Sequence, residues 1–333
     1  MAAPSAPGLL SRLCGGYLVT VLLTAVFAAA APAVADGGAP GPGERAGTKP
    51  TVVLVHGAFA DASGWNQVTE RLQRSGYTVV APANPLRGLP QDSAYISSVL
   101  QSIRGPVVLA GHSYGGAVIS RAAAGNPQVK SLVYISAFMP DKGEALGGLA
   151  ARFRGSELDS ALRRVPFRNA DGSGGTDLYL QPARFHRVFA ADLPVATTRV
   201  MAAAQRPLSA SAFTDKATAA AWRTIPSWAL VATEDRSIAP DLERFEARRA
   251  GAHTVEVDSS HVAMISHPGA VTDLILDAAT ARSAAKPALA ATGTKPLVFM
   301  GFGTMAGLTV LAGAGLVASA RRRRGAGRPA DRC

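Results

Sequence analysis

Thr51-Val52-Val53-Leu54-Val55 is a continuous apolar run after its first residue, rich in β-branched side chains, and it predicts a strand buried on both faces. Residues 63–75 follow at helical spacing, with Trp65, Val68 and Leu72 on one stripe and Gly76 as the stop. The same reading predicts strands at 77–81, 106–110, 128–135, 227–233 and 254–257. Helices are predicted at 94–103, 117–124, 240–250 and 268–279, the last two with Pro near the start. Strand and helix alternate. The fold class is therefore α/β, a mainly parallel, doubly wound sheet with helices on both faces.

One interval breaks that rhythm. About 90 residues separate the strand ending at Ile135 from the one starting at Ser227, far more than an ordinary connection. They are polar, Gly-rich and Arg-rich, with few strand signals. An insertion there is expected to form a cap, about 140–225, over the carboxyl edge of the sheet, where ligands bind in such folds. The main domain is expected to run from 49 to 280, after a Gly/Pro linker at 36–48.

Between the 106–110 strand and the 117–124 helix stands Gly111-His112-Ser113-Tyr114-Gly115. A G-x-S-x-G run in that context predicts a nucleophile elbow. The turn is too sharp for bulk at the flanking positions, and the serine oxygen projects above the sheet at a helix N-terminus. A serine hydroxyl needs a base to take its proton and a third group to orient the base. In this architecture the chain order is Ser, then Asp or Glu, then His. Glu234-Asp235 follows one strand and Asp258-Ser259-Ser260-His261 follows the next. The expected catalytic set is Ser113, Asp235 and His261, each just past the carboxyl end of a strand. Glu234 alternates with Asp235, so only one of them can face the histidine. Asp258 is close to His261 in sequence, and a local Asp more often caps its own loop.

The developing oxyanion needs N–H donors. The residue after the nucleophile, Tyr114, is one expected donor. Ala58, in the loop after the first strand, is the other, with Phe59 as the alternative and Gly57 allowing close approach. Among the remaining histidines, His56 is expected to support that loop and His112 to point away from the site. His253 and His267 read as surface or capping residues, and His186 as a solvated residue of the insertion.

The two ends change the picture of location. Arg12 precedes an apolar stretch from Tyr17 to Ala30, then Ala33-Val34-Ala35, which predicts a signal peptide over 1–35 cleaved before Asp36. An uncleaved anchor is the alternative. Residues 297–320 are uncharged and long enough to span a bilayer, and Arg321-Arg322-Arg323-Arg324 opens a basic tail, 321–333, that holds that end in the cytoplasm. Leu289-Ala290-Ala291-Thr292-Gly293 stands just before the span. Motif, span and basic tail in this order resemble a sortase sorting signal of the LAxTG type. The resemblance implies cleavage between Thr292 and Gly293 and transfer of Thr292 to a cell-wall precursor. A plain tail anchor facing outside is the alternative. The expected location is the cell wall or cell surface.

Those two cuts alter the charge balance. The whole chain carries 34 basic and 23 acidic residues, net +11; residues 36–292 carry 26 and 22, net +4. The excess of positive charge sits in the tail, so nucleic acid is not an expected partner. Both cysteines, Cys14 and Cys333, fall outside the exported part. No His/Cys/Glu group has metal-ligand spacing, and neither metal nor cofactor is expected. Gly172, Gly174 and Gly175 read as a loop with no strand before it, and not as a phosphate cradle. Arg152, Arg154, Arg163, Arg164 and Arg168 read as solvated helix faces.

Val55-His56-Gly57-Ala58, the elbow, Thr233-Glu234-Asp235 and Ser260-His261-Val262-Ala263-Met264 together resemble an α/β-hydrolase fold serine esterase over about 49–279. They are similar to the branch that holds plant methyl-ester esterases and hydroxynitrile lyases. Lyases of that branch have Thr after the first histidine and Lys after the triad histidine. Gly57 and Val262 depart from that pattern and fall on the esterase side. The resemblance implies an acyl-enzyme hydrolysis of a small-molecule carboxylic ester. Cofactor-free haloperoxidase or perhydrolase chemistry, and lactone or thioester hydrolysis, stay open on the same triad. So does a wall-displayed binding role on a hydrolase scaffold, since fold does not determine function.

Overall fold

The computed structural model describes residues 49–281. The expected signal peptide, linker, sorting motif with Thr292 and Gly293, apolar span and basic tail lie outside the described residues. Among the described residues no helix is long and apolar enough to cross a membrane.

The first half alternates as its pattern requires. It holds β1 (Thr51–Val55), α1 (Asn66–Arg74), β2 (Val79–Val80), α2 (Leu89–Ser102), β3 (Val107–His112), α3 (Tyr114–Ala122) and β4 (Val129–Ile135). The insertion holds α4 (Leu146–Ala150), α5 (Leu158–Ala161), β5 (Leu162–Arg168), β6 (Gly174–Leu180), α6 (Pro182–Phe189), α7 (Val195–Ala204) and β7 (Leu208–Ser209). β8 (Ser227–Ala232), α8 (Pro240–Ala250), β9 (His253–Val257), α9 (Ala263–Ser266) and α10 (Pro268–Thr280) complete the unit. The main sheet has the order β2-β1-β3-β4-β8-β9. All of its pairings are parallel, as βαβ connections dictate.

Burial explains why the central strands read as unbroken apolar runs. Every residue of β3 and of β8 is buried, because helices cover both faces. Register then sets the site. His112 is level with Ile135, and Ile135 with Leu230. Ala232 is level with Val257. The residues that follow β3, β8 and β9 therefore emerge along one edge of the sheet.

Several elements differ from the sequence expectation, each for a local reason. The 63–75 helix is split: a 3-10 turn over Ala62–Trp65, capped by the Asp61 side chain on the Ser63 amide at 2.8 Å, precedes α1. The strand at 77–81 shortens to β2, an edge strand paired on one side only. α2 begins five residues early, at Leu89. Asp92, in its first turn, accepts the amides of Arg87 and Gly88 at 2.9 and 3.3 Å and so organises a start that reads as loop.

The insertion is the larger correction. β5 and β6 form an antiparallel hairpin, and β7 adds a third strand. Arg163, Arg164 and Arg168 stand on a strand, not on a helix. Gly174 and Gly175 lie in β6 with a strand before them, while Gly172, at φ +82°, makes the turn. Arginine and glycine hide this hairpin from a composition reading. Its buried contribution is small, chiefly Leu178 and Leu180.

Candidate active site

Ser113 joins β3 to α3 with φ +54° and ψ −125°, a conformation that costs a non-glycine residue roughly 1–3 kcal/mol. Its neighbours hold it there. The Ser113 amide donates to the Ile135 carbonyl at 3.2 Å, and the Ser113 carbonyl accepts from Gly116 and Phe138 at 3.0 and 3.2 Å. The turn leaves no room at Gly115, where a Cβ would sit 2.6 Å from the Val55 carbonyl oxygen. Gly57 is similarly confined, with a Cβ position 2.7 Å from that of Ser113.

Past the next strand ends, the structure brings the other two expected groups to this serine. His261 Nε2 lies 2.8 Å from Ser113 Oγ, and His261 Nδ1 lies 2.5 Å from Asp235 Oδ2. A carboxylate accepts only, so Nδ1 carries the proton and Nε2 is free to accept from the serine hydroxyl. The other oxygen of Asp235 accepts the amides of Ser237 and Ile238 at 2.6 and 2.9 Å. Ser113, Asp235 and His261 are all buried. Glu234 points to solvent, and Asp258 accepts the Thr233 hydroxyl at 2.8 Å, so neither reaches the imidazole.

Two supports of His261 have no motif in the sequence. Asp192, from the insertion, accepts the Ser260 amide and the Ser259 hydroxyl, each at 3.1 Å, and also the Ser260 hydroxyl. Burial opposes ionisation of Asp192, but the hydrogen bonds from Ser260, Ser266 and Ser259 outweigh it and hold the carboxyl below its ordinary range. His112 is the second support, with Nε2 at 2.9 Å from the main-chain oxygen of His261. Burial, then the proximity of His261, drives the His112 pKa well below its usual value, so this ring is neutral.

The loop after β1 is built around His56. Its Nδ1–H donates to the Gly57 carbonyl at 2.9 Å and its Nε2 accepts the Asn84 amide at 2.9 Å. Burial lowers its pKa to about 4. The loop presents Ala58 beside Tyr114 in the space over Ser113. The two candidate donors in that loop now differ. The Phe59 amide is committed to the Arg206 carbonyl at 3.1 Å, whereas the Ala58 amide makes no hydrogen bond among the described residues. Tyr114 is anchored behind the site by its phenol, which donates to Asp92 at 2.6 Å.

The remaining histidines lie apart. His186 contacts the Thr198 hydroxyl at 3.3 Å, His253 stacks on Trp228, and His267 contacts the Ser266 hydroxyl at 3.0 Å. Among the described residues no group of three or more His, Cys, Asp or Glu is placed to hold a metal.

Leu146, Leu158, Phe189, Leu208 and Phe213 of the insertion close over Ser113. This narrow space shares Phe138, Leu158, Phe213 and Ser237 with a cavity of about 470 Å³ between the insertion and the sheet edge. A hydroxyl, an imidazole and a carboxylate in series, beside free amides and an apolar cavity, can move a proton off the hydroxyl and shelter an acyl group.

A parallel sheet with its polar side chains gathered at one carboxyl edge, beneath an insertion, defines the α/β hydrolase class. Residues 52–274 match the model of the Alpha/beta hydrolase family, and the chain belongs to it. It is 32% identical over 110 residues to the carbendazim hydrolyzing esterase of Nocardioides sp., a match covering 29% of this chain and 46% of that protein. It is also 32% identical over 106 residues to the pyrethroid hydrolase of Sphingobium wenxiniae, covering 28% and 37%. The chain thus matches less than half the length of either relative. Among solved structures, polyneuridine aldehyde esterase has the same fold, with a TM-score of 0.60 at 23% identity over 69% of this chain and 99% of that one.

Proposed function

We propose that the protein is a serine hydrolase of carboxylic esters, working through an acyl-enzyme. The observation that carries this reading is the hydrogen-bonded series from Ser113 Oγ through His261 to Asp235. His261 takes the serine proton as Ser113 attacks the ester carbonyl. Asp235 holds the imidazole tautomer and balances the imidazolium. The amides of Ala58 and Tyr114 receive the oxyanion. His261 then protonates the leaving alcohol and activates the water that releases the acid.

The substrate in this reading is an apolar small-molecule ester. Phe138, Phe153, Leu158, Leu178 and Phe213 line the 470 Å³ cavity, which suits an aromatic or branched acyl or alcohol group. The names of the two partial relatives, one an esterase and the other a hydrolase, favour ester substrates. Gly57 and Val262 favour the esterase side of the methyl-ester esterase and hydroxynitrile lyase branch. The proposal extends to location: export by the signal peptide, a transient membrane stop through 297–320, and sortase transfer of Thr292 to a wall precursor.

Hydrolysis of a nitrophenyl ester series of rising acyl length, beside Ser113→Ala, tests the chemistry. Turnover that disappears in the variant supports it. Turnover that persists overturns the role of Ser113, and a wild type that neither turns over nor labels with a fluorophosphonate moves the reading to a binding protein. Mass spectrometry of a wall digest tests the location: a carboxyl-terminal peptide ending at Thr292 and joined to peptidoglycan is expected.

A further inference from the structure

Glu243 stands in the first turn of α8 and is buried, away from solvent. The groups that face it are Asp235 from the loop after β8, the amide of Ala232 at the end of β8, and Glu246 one turn along its own helix. One oxygen of Glu243 accepts the Ala232 amide at 3.1 Å; the other finds no donor. The Glu243 carboxyl faces that of Asp235, whose own amide donates to the Ala232 carbonyl at 3.2 Å. Two carboxyls that face each other away from water cannot both be charged. The donors decide which one keeps the proton. Asp235 receives three N–H groups, from Ser237, Ile238 and His261, and Glu243 receives one. Burial, and then the charge and hydrogen bond of Asp235, push the Glu243 pKa well above its ordinary value.

We propose that Glu243 is a positioning residue that stays protonated in the working enzyme and donates its O–H to Asp235. The proposal rests on the reading of Ser113, His261 and Asp235 as the catalytic groups. A neutral donor here does two things. It holds the Asp235 carboxylate against rotation by taking the one acceptor site that the three N–H donors leave unclaimed. It also takes up part of the negative charge that Asp235 would present to the imidazolium. The reaction series would thus have a fourth member behind the aspartate, contributed by a helix that carries no recognisable motif.

The experiment uses the full chain and two readouts. The first is the infrared carbonyl stretch of protonated carboxyl groups at pH 7. Glu243→Gln is expected to remove one such band. Glu246, whose burial raises its pKa to about 8, supplies a band that persists and serves as the internal control. The second is the pH dependence of fluorophosphonate labelling at Ser113. Glu243→Ala is expected to slow labelling about tenfold and to move the acid limb of the profile upward by about half to one pH unit. Glu243→Gln, isosteric and still a neutral donor, is expected to recover most of the lost rate.

An infrared spectrum in which Glu243→Gln loses no band overturns the proposal, whatever the chemistry at Ser113. So does a folded Glu243→Ala protein that labels with the wild-type rate and acid limb. So does Glu243→Gln as impaired as Glu243→Ala, since the neutral donor would then not be what matters. Wild-type protein that fails to label at all overturns the catalytic reading and the positioning role with it, while the band still reports where the proton lies. If Glu243→Ala does not fold, the infrared and labelling results of Glu243→Gln decide alone.

Discussion

His112 and His261 are joined ring to main chain: the Nε2–H of His112 donates to the carbonyl of His261 at 2.9 Å, and the two rings lie 4.7 Å apart. The residue before the proposed nucleophile therefore braces the residue proposed as its base. Elbow and histidine loop, 149 positions apart, are registered directly against each other. His112→Ala should lower kcat/KM about 10- to 100-fold with KM changed little, because the loss is one of alignment. His112→Gln should recover part of it. Steady-state kinetics on one nitrophenyl ester checks both, and a loss confined to KM would contradict the bracing role.

Ser113→Ala should reduce ester turnover by about 10⁴-fold or more and abolish fluorophosphonate labelling. Among the described residues the hydroxyl bonds only to His261, so the melting temperature should stay within a few degrees of wild type.

Gly115→Ala tests the packing that makes the elbow. Its Cβ would lie 2.6 Å from a backbone oxygen of β1, which cannot give way without moving the strand. A loss of about 1–3 kcal/mol is expected, read as a fall in melting temperature of about 2–4 °C per kcal/mol. An unchanged melting temperature would mean that β1 and α3 can separate at no cost.

Glu246 makes a pH prediction. Burial raises its pKa in the folded protein from the ordinary 4.5 to about 8. Below pH 4.5 both folded and unfolded chains carry the proton, and the residue costs nothing. Between 4.5 and 8 only the unfolded chain ionises, so wild-type stability falls by about 1.4 kcal/mol per pH unit from this source and levels off above. Glu246→Gln should therefore match wild type near pH 4.5 and exceed it increasingly up to pH 8. Urea unfolding at pH 4.5, 6 and 8 measures the gap; a gap that does not widen would show that the carboxyl ionises freely.

Ala150 lines the 470 Å³ cavity but not the narrow space over Ser113. Ala150→Trp should lower kcat/KM for long or aromatic acyl esters about tenfold or more while sparing an acetate ester. Equal losses for both would place the substrate elsewhere.

The chain itself determined the sheet, the elbow and the order of the proposed reacting groups. β1, β3 and β8 are buried on both faces and so read as apolar runs, as does β4 from Leu132 onward, and Gly111 to Gly115 is a backbone constraint that only certain residues satisfy. That Ser113, Asp235 and His261 come together was legible because strand ends are legible and each follows one. Contacts between distant segments left no such trace. Asp192 reaches Ser260 across 68 positions, His112 reaches His261, and the Phe59 amide is taken by Arg206, which separates it from Ala58. The β5–β6 hairpin was hidden because it buries little, and hydrophobic periodicity records burial. Glu243 reads as one charged residue on an amphipathic helix. Only packing removes it from water and sets it beside Asp235, and desolvation, which no local pattern encodes, decides where its proton resides.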